Sequence, residues 1–424
     1  MTGLAAGLAS GWQIYEAGEV PGGICSSYYV TPQGSKLETP PEDGEAYRFE
    51  IGGGHWIFGG DPSVLRLIRS LTPVKQYQRS SAVFFPQEGY FVPYPLQNHL
   101  SYLPEEVRLR ALTEMLTLPK GNPRTMADWL EQSFGPTLTE MFFAPFHQLY
   151  TAGLWQQIVP QDGYKSPVDA SLALRGASGK TPPVGYNTGY LYPQEGLGTL
   201  ARRLAGKDQI QYGKRATRIH LDKKEVEFAD GSGIHYDLLI STLPLDKTLA
   251  MAQAGVDERP DPYTSVLVLN IGARRGARCP VEHWLYLPYT RAGFHRVGFY
   301  SNVDESFLPA CSRKNKDRVG IYVERAYAAE NKPSREQIAA YIEATVVELK
   351  EWGFIEGVEV ADPTWVEVAY TWAWPGSRWR SRALEFLEKR DVMMVGRYGR
   401  WIFQGIADSL RDGLFVGAAL RPVP

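Results

Sequence analysis

The first 23 residues constrain the fold of this chain most strongly, because they join a small-residue helix, an apolar strand and a glycine turn. Residues 3–7 predict a short helix, residues 12–15 predict a strand that ends on Glu16, and Gly22 and Gly23 follow in a turn. In dinucleotide-binding βαβ units, glycines let the backbone approach a pyrophosphate at a helix N-terminus, and an acidic residue after the second strand binds the ribose. The opening therefore predicts an α/β fold that begins within such a unit.

The glycine fingerprint of these units, Gly-x-Gly-x-x-Gly after a first strand, is incomplete here. Gly3 matches its last glycine, while the first strand and the earlier glycines have no counterpart. Because Met1-Thr2-Gly3 reads as the end of such a run, we expect Met1 to be an internal residue taken as a start. A strand would then be missing from the centre of a parallel sheet, and the 424-residue chain would be poorly soluble or free of cofactor. The alternative is a helix–strand unit that binds no cofactor.

Composition and charge argue against several classes of protein. The chain has 44% hydrophobic and 22% charged residues, a formal net charge of −2 at pH 7 and a pI of about 6.4. This balance gives no electrostatic reason to expect a nucleic-acid partner, and no apolar run is long enough to span a bilayer. Residues 1–11 lack the features of a signal peptide. Cys25, Cys279 and Cys311 form neither a disulfide framework nor a metal pattern, so the cytoplasm is the expected location.

Hydrophobic periodicity predicts the secondary structure between the motifs. The predicted elements are, in order, a helix at 62–72, one hairpin over 75–93, helices from 104 to 160, a loop-rich stretch at 160–190, a buried strand at 238–244, strands at 264–272, 294–301 and 319–324, a helix at 335–352, a buried strand at 392–397 and a helix at 408–420. Thr125 and Ser334 are expected to stand at helix N-termini, where their hydroxyl groups can accept a backbone hydrogen bond.

A glycine-rich segment from Gly52 to Phe58 is flanked by apolar and aromatic residues. Three consecutive glycines allow a backbone to approach a flat ligand closely. A flexible turn is the alternative, although the neighbouring isoleucine, tryptophan and phenylalanine favour a buried segment. His55 within this run is either a histidine of the core or a residue beside a bound ring.

The order of these motifs resembles that of the FAD-dependent amine oxidases and protoporphyrinogen oxidases over nearly the whole chain. The resemblance lies in Glu16, Gly22-Gly23, the run from Gly52 to Phe58, Tyr192-Pro-x-x-Gly196-x-Gly198, Ser241-Thr-Leu-Pro244, and Gly396-Arg397 with Asp408 after it. It implies FAD as cofactor and an α/β fold (α+β overall), with a Rossmann-like FAD-binding domain and an inserted mixed-sheet and helical substrate domain. The FAD-binding domain would comprise residues 1–75, 191–250 and 385–424, and the substrate domain residues 76–190 and 251–384.

The resemblance also implies which residues bind the cofactor. Glu16 would bind the adenosine ribose, and the glycines of the opening would line the pyrophosphate. Ala216 and Thr217 would present backbone groups to the adenine, while residues 53–55 and 396–397 would lie at the flavin ring. The implied set is Gly3, Glu16, Gly22, Gly23, Gly53, Gly54, His55, Ala216, Thr217, Gly396, Arg397 and Asp408.

Several segments resemble the UDP-galactopyranose mutases in particular. They are Pro93-Tyr94-Pro95-Leu96-Gln97-Asn98, Phe294-His295-Arg296 and Gly396-Arg397-Tyr398-Gly399. The resemblance implies that Tyr94, Asn98 and Arg296 contact substrate, with Arg175 as a weaker candidate for an anion. Phe403 and Trp374 occupy positions at which the mutases have tyrosines, so two phenolic donors to a diphosphate are lost.

Three hypotheses of function follow. The first is a flavin oxidoreductase that transfers hydride from a small-molecule substrate to flavin N5. The second is an isomerase like the mutases, and the missing phenols favour the first hypothesis over it. The third is a flavin-free protein. Trp374, Trp379, Trp401 and Phe403 could bind a planar group, although a core position is expected for at least half of them. No metal-ligand motif is present, and His55 is the single weak candidate for a catalytic residue. The oligomeric state is left open.

Overall fold

The computed structural model of the chain describes residues 1–119, 121–161, 168–182, 188–206 and 210–420. Its helices are α1 (Thr2–Ser10), α2 (Pro62–Leu71), α3 (Glu105–Thr117), α4 (Met126–Leu138), α5 (Ala144–Tyr150), α6 (Ala170–Ser178), α7 (Leu197–Ala205), α8 (Leu245–Met251), α9 (Tyr300–Val303), α10 (Arg335–Glu351), α11 (Trp379–Glu388), α12 (Gly396–Gly399) and α13 (Ile406–Ala419). In this part of the chain, no helix combines the length and the apolar character needed to cross a membrane.

The strands before residue 242 are short. They are β1 (Ile14–Tyr15), β2 (Ser27–Val30), β3 (Lys36–Leu37), β4 (Tyr47–Glu50), β5 (Ile57–Phe58), β6 (Val74–Gln78), β7 (Ser81–Phe85), β8 (Tyr90–Pro93), β9 (Gly189–Pro193), β10 (Ile210–Gln211), β11 (Ala216–His220), β12 (Glu225–Phe228), β13 (Gly233–His235) and β14 (Leu239–Ser241). The strands that follow are β15 (Tyr263–Arg275), β16 (Trp284–Tyr286), β17 (Arg296–Phe299), β18 (Arg318–Ala328), β19 (Ile355–Thr371) and β20 (Val392–Met394), of which β15, β18 and β19 are long.

Two parallel strand pairs flank the opening helix. β1 pairs with β10, and β14 pairs with β20, each pair forming a two-stranded sheet. An antiparallel sheet of β11, β12 and β13 stands beside the first pair, because Tyr15 of β1 stacks on Phe228 of β12 with ring centroids 5.2 Å apart. These parallel pairs and their helices agree with the predicted α/β class.

Helices α1 and α13 cross with their backbones almost in contact. A Cβ atom at Gly413 would lie 2.2 Å from the carbonyl oxygen of Thr2, and one at Gly417 would lie 2.3 Å from that of Ala6. Only glycine allows the two helix backbones to lie this close together, since the Cβ atom of any other residue would clash with the facing carbonyl oxygen. The crossing brings the first turn of α1 next to α12, where a Cβ at Gly396 would meet the Thr2 side chain at 2.5 Å.

A seven-stranded mixed sheet forms the other large unit. Its strand order is β19-β15-β18-β17-β16-β7-β8, with β7 parallel to β16 and the other neighbours antiparallel. Helix α10 packs against one face through an apolar cluster that includes Leu349 and Trp352. Helices α3 to α6 enclose a separate aromatic core around Phe134, Phe142 and Phe143.

The structure confirms the predicted helix starts. Thr125 caps α4 by accepting the backbone N–H of Asp128, and the carboxylate of Asp128 accepts the N–H of Thr125 in return. Ser334 caps α10 in the same reciprocal way with Gln337. Each of these caps lies within four consecutive residues, which is why the sequence pattern identifies it.

Two predictions of secondary structure were wrong, and one long strand had no prediction. The single hairpin over 75–93 is instead a hairpin of β7 and β8, while β6 pairs with β9 in another sheet. The loop-rich stretch at 160–190 contains α6, capped by Asp169; residues 162–167 and 183–187 of that stretch lie outside the described residues. The 17-residue strand β19 was not predicted, because Gly357 and Pro363 interrupt its alternation.

Candidate active site

The carboxylate of Glu16 lies at the carboxyl end of β1, as predicted. Its Oε1 accepts the N–H of Gly18 at 2.8 Å, and its backbone oxygen accepts the N–H of Lys214 at 2.8 Å. The second bond brings the start of β11, with Ala216 and Thr217, toward Glu16. Thr217 lies at a bulge between β11 and β12, where it has no Cα partner on the opposite strand.

The turn after Glu16 contains two glycines with different constraints. Gly22 has φ +105°, and a Cβ there would lie 2.8 Å from the Cβ of Ala201 and 2.8 Å from Oγ of Ser26. Gly23 has φ +58°, and a Cβ there would meet no heavy atom within 4 Å. Gly22 is therefore required by packing against α7, while the Gly23 side of the turn faces open space beside α1.

The glycine run before His55 packs directly against β18. A Cβ at Gly54 would lie 2.1 Å from the hydroxyl oxygen of Tyr322, and one at Gly298 would lie 2.0 Å from the same ring. The Tyr322 ring thus occupies a slot between two glycines. Gly53, at φ +79°, stands beside Glu324, since a Cβ there would lie 3.0 Å from its Oε1.

His55 lies close to two arginines from distant parts of the chain. The pKa of His55 is lowered to about 3, mainly by burial and in smaller part by the guanidinium groups of Arg397 and Arg296. Its Nδ1 is buried and has no hydrogen-bond partner among the described residues. His55, Arg296 and Arg397, all predicted from the sequence, therefore converge on one place.

Arg296, whose side chain is 22% exposed, forms an ion pair with the buried Glu324, its direct cross-strand neighbour between β17 and β18. Its Nη2 lies 2.5 Å from each carboxylate oxygen, and Glu324 is 2% exposed. Burial opposes the charge of Arg296, but the carboxylate beside it holds the pKa of this guanidinium well above its usual value. The register of the two strands thus brings together two residues that are 28 positions apart in the sequence.

Arg397 follows Gly396 at the start of α12 and faces three aromatic rings. Its Nη2 donates to the carbonyl of Ala369 at 3.0 Å, and its guanidinium lies 4.7 Å from the ring centroid of Phe403, 5.5 Å from that of Tyr370 and 5.6 Å from that of Tyr398. A cavity of about 10 Å³, enough for roughly one water molecule, is lined by Tyr150, Gln161, Tyr370, Thr371, Trp372, Arg397 and Phe403.

A continuous series of ring contacts connects this cavity with the segment around Tyr94. We call Tyr94, Tyr286, Phe146, Tyr150 and Tyr370 the aromatic belt. Successive ring centroids along it are 4.4, 5.5, 5.5 and 4.8 Å apart. The belt joins helix α5 to strands of the mixed sheet, so the region around Arg296 and Arg397 is walled by aromatic surface.

The other predicted substrate residues lie in different surroundings. Asn98 is fully buried, and neither the oxygen nor the nitrogen of its side-chain amide has a hydrogen-bond partner in the part of the chain described. Arg175 is exposed in the last turn of α6. The indole N–H of Trp374 donates to the carbonyl of Pro260 at 2.8 Å, and Arg259 covers its ring.

Two of the four aromatic candidates are core residues. Trp379 and Trp401 are each 2% exposed and pack edge to face at 5.2 Å. Asp408 lies in the first turn of α13, where its carboxylate is 3.4 Å from the N–H of Gly405. The helix begins at Ile406, two residues before the predicted start.

A second cavity, of about 570 Å³, lies away from this region and contains none of the predicted site residues. It opens between the turn at 86–87, helix α5, the loop at 288–291 and the end of α10. Within the described ranges, no group of three histidine, cysteine or acidic side chains could hold a metal ion.

Sequence analysis missed Glu324, Tyr322 and most of the aromatic belt. One signal was available, because Gly320, Tyr322 and Glu324 alternate with the apolar residues of β18 and so share a face. A carboxylate within an otherwise apolar strand calls for a buried partner. The identity of that partner depends on the register of β17 and β18.

Comparison with known proteins places this geometry in context. A family model described as flavin containing amine oxidoreductase matches residues 6–379. The structure of reduced UDP-galactopyranose mutase superposes with a TM-score of 0.81 at 23% identity, covering 98% of this chain and 92% of that one. A protein of Exiguobacterium sp. 255-15, provisionally described as a protoporphyrinogen oxidase, gives 0.67 at 14% identity, with 99% and 96% covered.

Putrescine oxidase bound to putrescine gives a TM-score of 0.54 at 14% identity, with 99% of this chain and 96% of that one covered. At such identities the likeness to solved structures shows the fold alone. The predicted fold class is thereby confirmed, as is the predicted resemblance to amine oxidases, protoporphyrinogen oxidases and the mutase.

Proposed function

The chain belongs to the flavin-containing amine oxidoreductase family, and from this premise we propose that it is an FAD-dependent oxidoreductase acting on a small molecule. FAD, when bound, would accept a hydride at N5 from a C–H or N–H bond of the substrate. The observation that carries the proposal is the convergence of the Gly53–His55 run, Arg397 and the aromatic belt. The division into an FAD-binding domain and a substrate domain at the predicted boundaries is part of the same proposal.

The residues present fit such a cofactor. Helix α1 has no side chain capping its N-terminus, so its first N–H groups can bind a phosphate beside the open side of Gly23. Glu16 would hold the adenosine ribose, and the backbone of Ala216 and Thr217 would face the adenine. Gly3, Gly22, Gly396 and the N-terminal turn of α13 at Asp408 complete the proposed set.

The side chains at the ring end have distinct proposed roles. Arg397 carries a positive charge in a poorly hydrated site, where it can stabilise negative charge that develops during reaction. The aromatic belt excludes water from the reacting atoms. His55 is neutral at physiological pH, since its pKa is lowered to about 3 by burial and by the two arginines. It can therefore form a hydrogen bond, but it is a poor proton donor or acceptor in catalysis at pH 7.

The purified protein tests the cofactor directly. Against the expectation drawn from the incomplete glycine fingerprint, the proposal predicts a yellow protein whose released chromophore has the mass of FAD, and whose absorbance bleaches when the correct substrate is added without oxygen. Release of FMN would contradict the proposed role of Glu16, because FMN has no adenosine ribose. A colourless protein that takes up no added FAD would support the flavin-free alternative.

Replacing Glu16 by Gln should weaken FAD binding. The change removes charge-assisted hydrogen bonds to the ribose, which are worth about 1.5–3 kcal/mol, and this predicts a loss of affinity of roughly tenfold to a hundredfold. Titration of flavin fluorescence measures the change. Glu19→Gln is the matched control, since Glu19 is exposed three residues further on. Equal affinities for the two variants would show that Glu16 does not hold the ribose.

A mutase-like isomerase is the second candidate function, favoured by the buried unpaired amide of Asn98 and by the position of Arg296. Phe403, which lines the cavity beside Arg397, cannot donate a hydrogen bond to a diphosphate. Each such bond to a charged group is worth about 1.5–3 kcal/mol. We therefore expect the protein reduced with dithionite not to interconvert UDP-galactopyranose and UDP-galactofuranose.

Chromatography of the sugar nucleotides provides the measurement. Restoring tyrosine at 403 and 374 should raise nucleotide-sugar affinity if Arg296 faces the diphosphate, with the larger effect at Phe403, since the indole N–H of Trp374 is already bound to Pro260. Ring contraction by the unmodified protein would establish the mutase alternative. A cytoplasmic location is proposed as well, since Cys25, Cys279 and Cys311 are free thiols.

A further inference from the structure

We propose that the cavity of about 570 Å³ at the C-terminal end of α10 is a second binding site, which takes a small organic cation with an apolar or aromatic body. The inference does not depend on the proposed oxidoreductase function. It adds to the protein a site outside the candidate active site and the chemical class of its ligand.

The size and the surface of the cavity suit a small molecule. Pockets of about 300–1,000 Å³, lined mostly by apolar side chains with a few polar groups, are typical of ligand sites. This cavity opens between α5, the end of α10, the turn at 86–87 and the loop at 288–291. Three prolines, Leu149, Tyr289 and Trp352 form its apolar surface, which would bury the body of a ligand.

The observation that carries the proposal is the charge of Glu348. This residue lines the cavity and is 3% exposed. One carboxylate oxygen accepts the backbone N–H of Arg291 at 2.9 Å, and the other accepts that of Ala292 at 3.0 Å. Both oxygens thus act as acceptors, as they do in an ionised carboxylate. Among the described residues, no basic side chain forms an ion pair with Glu348, so a cation in the cavity would balance a buried charge.

The basic side chain in the lining is already paired. Nη2 of Arg291 contacts Oε2 of Glu351, and both side chains are exposed at the rim. Two carboxylates and one guanidinium therefore leave the described lining with a formal net charge of −1. Lys350 does not change this balance, because it is two positions from Glu348 and so lies on the opposite side of α10. The electrostatic complement of such a lining is a cation.

Tyr289 favours the same ligand charge. Its ring is 44% exposed, and its hydroxyl group donates to the carbonyl of Glu140 at 3.4 Å. Burial, and after it the carboxylate of Glu88, raises the pKa of Tyr289, so a further negative charge lies near this ring. An organic cation over the face of a tyrosine is attracted by the ring quadrupole. The ring and Glu348 therefore select ligands of the same sign.

Helix α5 separates this cavity from the candidate active site. Pro145, Gln148 and Leu149 line the cavity, whereas Phe146 and Tyr150 of the same helix belong to the aromatic belt. A ligand in the cavity would thus contact residues that the proposed oxidoreductase reaction does not use. Substitutions in the cavity lining therefore test this site separately from the flavin site.

Titration calorimetry of the full 424-residue chain with benzyltrimethylammonium tests the proposal. Phenylacetate, which carries a negative charge on the same ring, is the comparison probe. We expect one benzyltrimethylammonium ion to bind per chain, because its charge matches the lining and its ring is buried against the prolines. We expect phenylacetate to show no measurable binding.

Three variants of the lining should weaken binding of the cation. Tyr289→Leu removes the ring and should lower the affinity about twofold to fivefold. Glu351→Gln should lower it about fivefold, and phenylacetate should then bind measurably because Arg291 loses its partner. Glu348→Gln keeps the shape of the side chain and should lower the affinity about tenfold or more. Tyr289 and Glu351 are exposed, so their variants keep the test decisive even if Glu348→Gln does not fold.

Two matched controls come from other parts of the surface. Glu385→Gln breaks the exposed ion pair with Lys389 in α11, and Tyr212→Leu removes an exposed tyrosine ring. Both should bind benzyltrimethylammonium as the wild type does. Losses of the same size in the controls would overturn the proposal. Unchanged affinity in the folded cavity variants, or equal binding of cation and anion by the wild type, would overturn it as well, and so would a wild type that binds neither probe.

Discussion

Acidification from pH 7 to pH 5 should unfold this protein or bring it close to unfolding. Four histidines carry the expectation, of which His99 and His295 are buried and His55 and His283 are partly buried. Burial lowers the pKa of His55 to about 3 and those of His99 and His283 to about 4, and it places that of His295 well below the usual value. They come from four separate segments, so the effect is not confined to one element.

The sign follows from proton uptake. Below an unfolded pKa of about 6.5, the unfolded chain binds a proton at each histidine that the folded chain does not bind. The contribution of these neutral histidines to the free energy of unfolding is therefore present in full above pH 6.5. It is lost as the pH falls from 6.5 toward their pKa values in the folded protein. Each histidine contributes up to about 1.4 kcal/mol per pH unit in that window, against a total stability of roughly 5–15 kcal/mol.

Burial raises the pKa of Glu50, and this acts in the opposite direction. The folded state takes up that proton more readily than the unfolded state, which offsets part of the loss above the usual carboxyl pKa. Four histidines outweigh this group between pH 6.5 and 5. Chemical denaturation at a series of pH values measures the slope.

His295→Phe isolates one of the four contributions. Neither ring nitrogen of His295 forms a hydrogen bond to a described residue, and its neighbours include the rings of Phe146 and Tyr150, so phenylalanine suits the site. The variant should lose stability less steeply with acid than the wild type. His235→Gln, at an exposed position, should not change the slope. A stability that is flat from pH 7 to pH 5 would refute the expectation.

Gly413→Ala should destabilise the protein by about 2–4 kcal/mol, even though alanine is the better helix former. Helix propensity alone would favour alanine by about 1 kcal/mol. The new Cβ would stand 2.2 Å from the carbonyl oxygen of Thr2 and 2.9 Å from the Cβ of Ala5, and neither backbone can move without separating α1 from α13. Overpacking of this kind typically costs about 1–3 kcal/mol, and separation of the helices adds lost burial at Leu4 and Leu410.

Gly3→Ala is the control for this substitution. It adds the same methyl group to α1, but its nearest neighbour is the Thr242 side chain at 3.6 Å, an ordinary contact. Its free energy of unfolding in the absence of cofactor should be unchanged or slightly higher. Equal stability of the two variants in urea denaturation would mean that the α1–α13 crossing tolerates a methyl group.

The predictable parts of the structure are those in which neighbouring residues decide the outcome. The cap at Thr125 needs only Asp128 three positions later, and the strand ending on Glu16 needs only its own apolar pattern and the turn after it. The prediction that Arg296 contacts substrate and the prediction that Arg397 lies at the flavin ring came from local motifs as well. Their convergence on His55 agrees with the family resemblance, which already implied that distant segments meet there.

The parts that could not be predicted depend on pairing between distant segments. Strand β6 alternates in the manner of a hairpin arm, yet it pairs with β9, because nothing in residues 74–78 specifies a partner. The aromatic belt takes residues from positions 94, 146, 150, 286 and 370, each of which could equally occupy a core. No regular spacing in the sequence indicates that these residues contact each other.

The sequence by itself determined the class of fold, the glycine positions that allow close approach and the side chains available for chemistry, because these follow from local conformation and residue type. Tertiary structure alone decided that Arg296 is neutralised. Residues 296 and 324 become cross-strand neighbours only through the register of β17 and β18. That register is set by burial of the whole strands, since a shift by one residue would turn every apolar side chain of β18 to the wrong face.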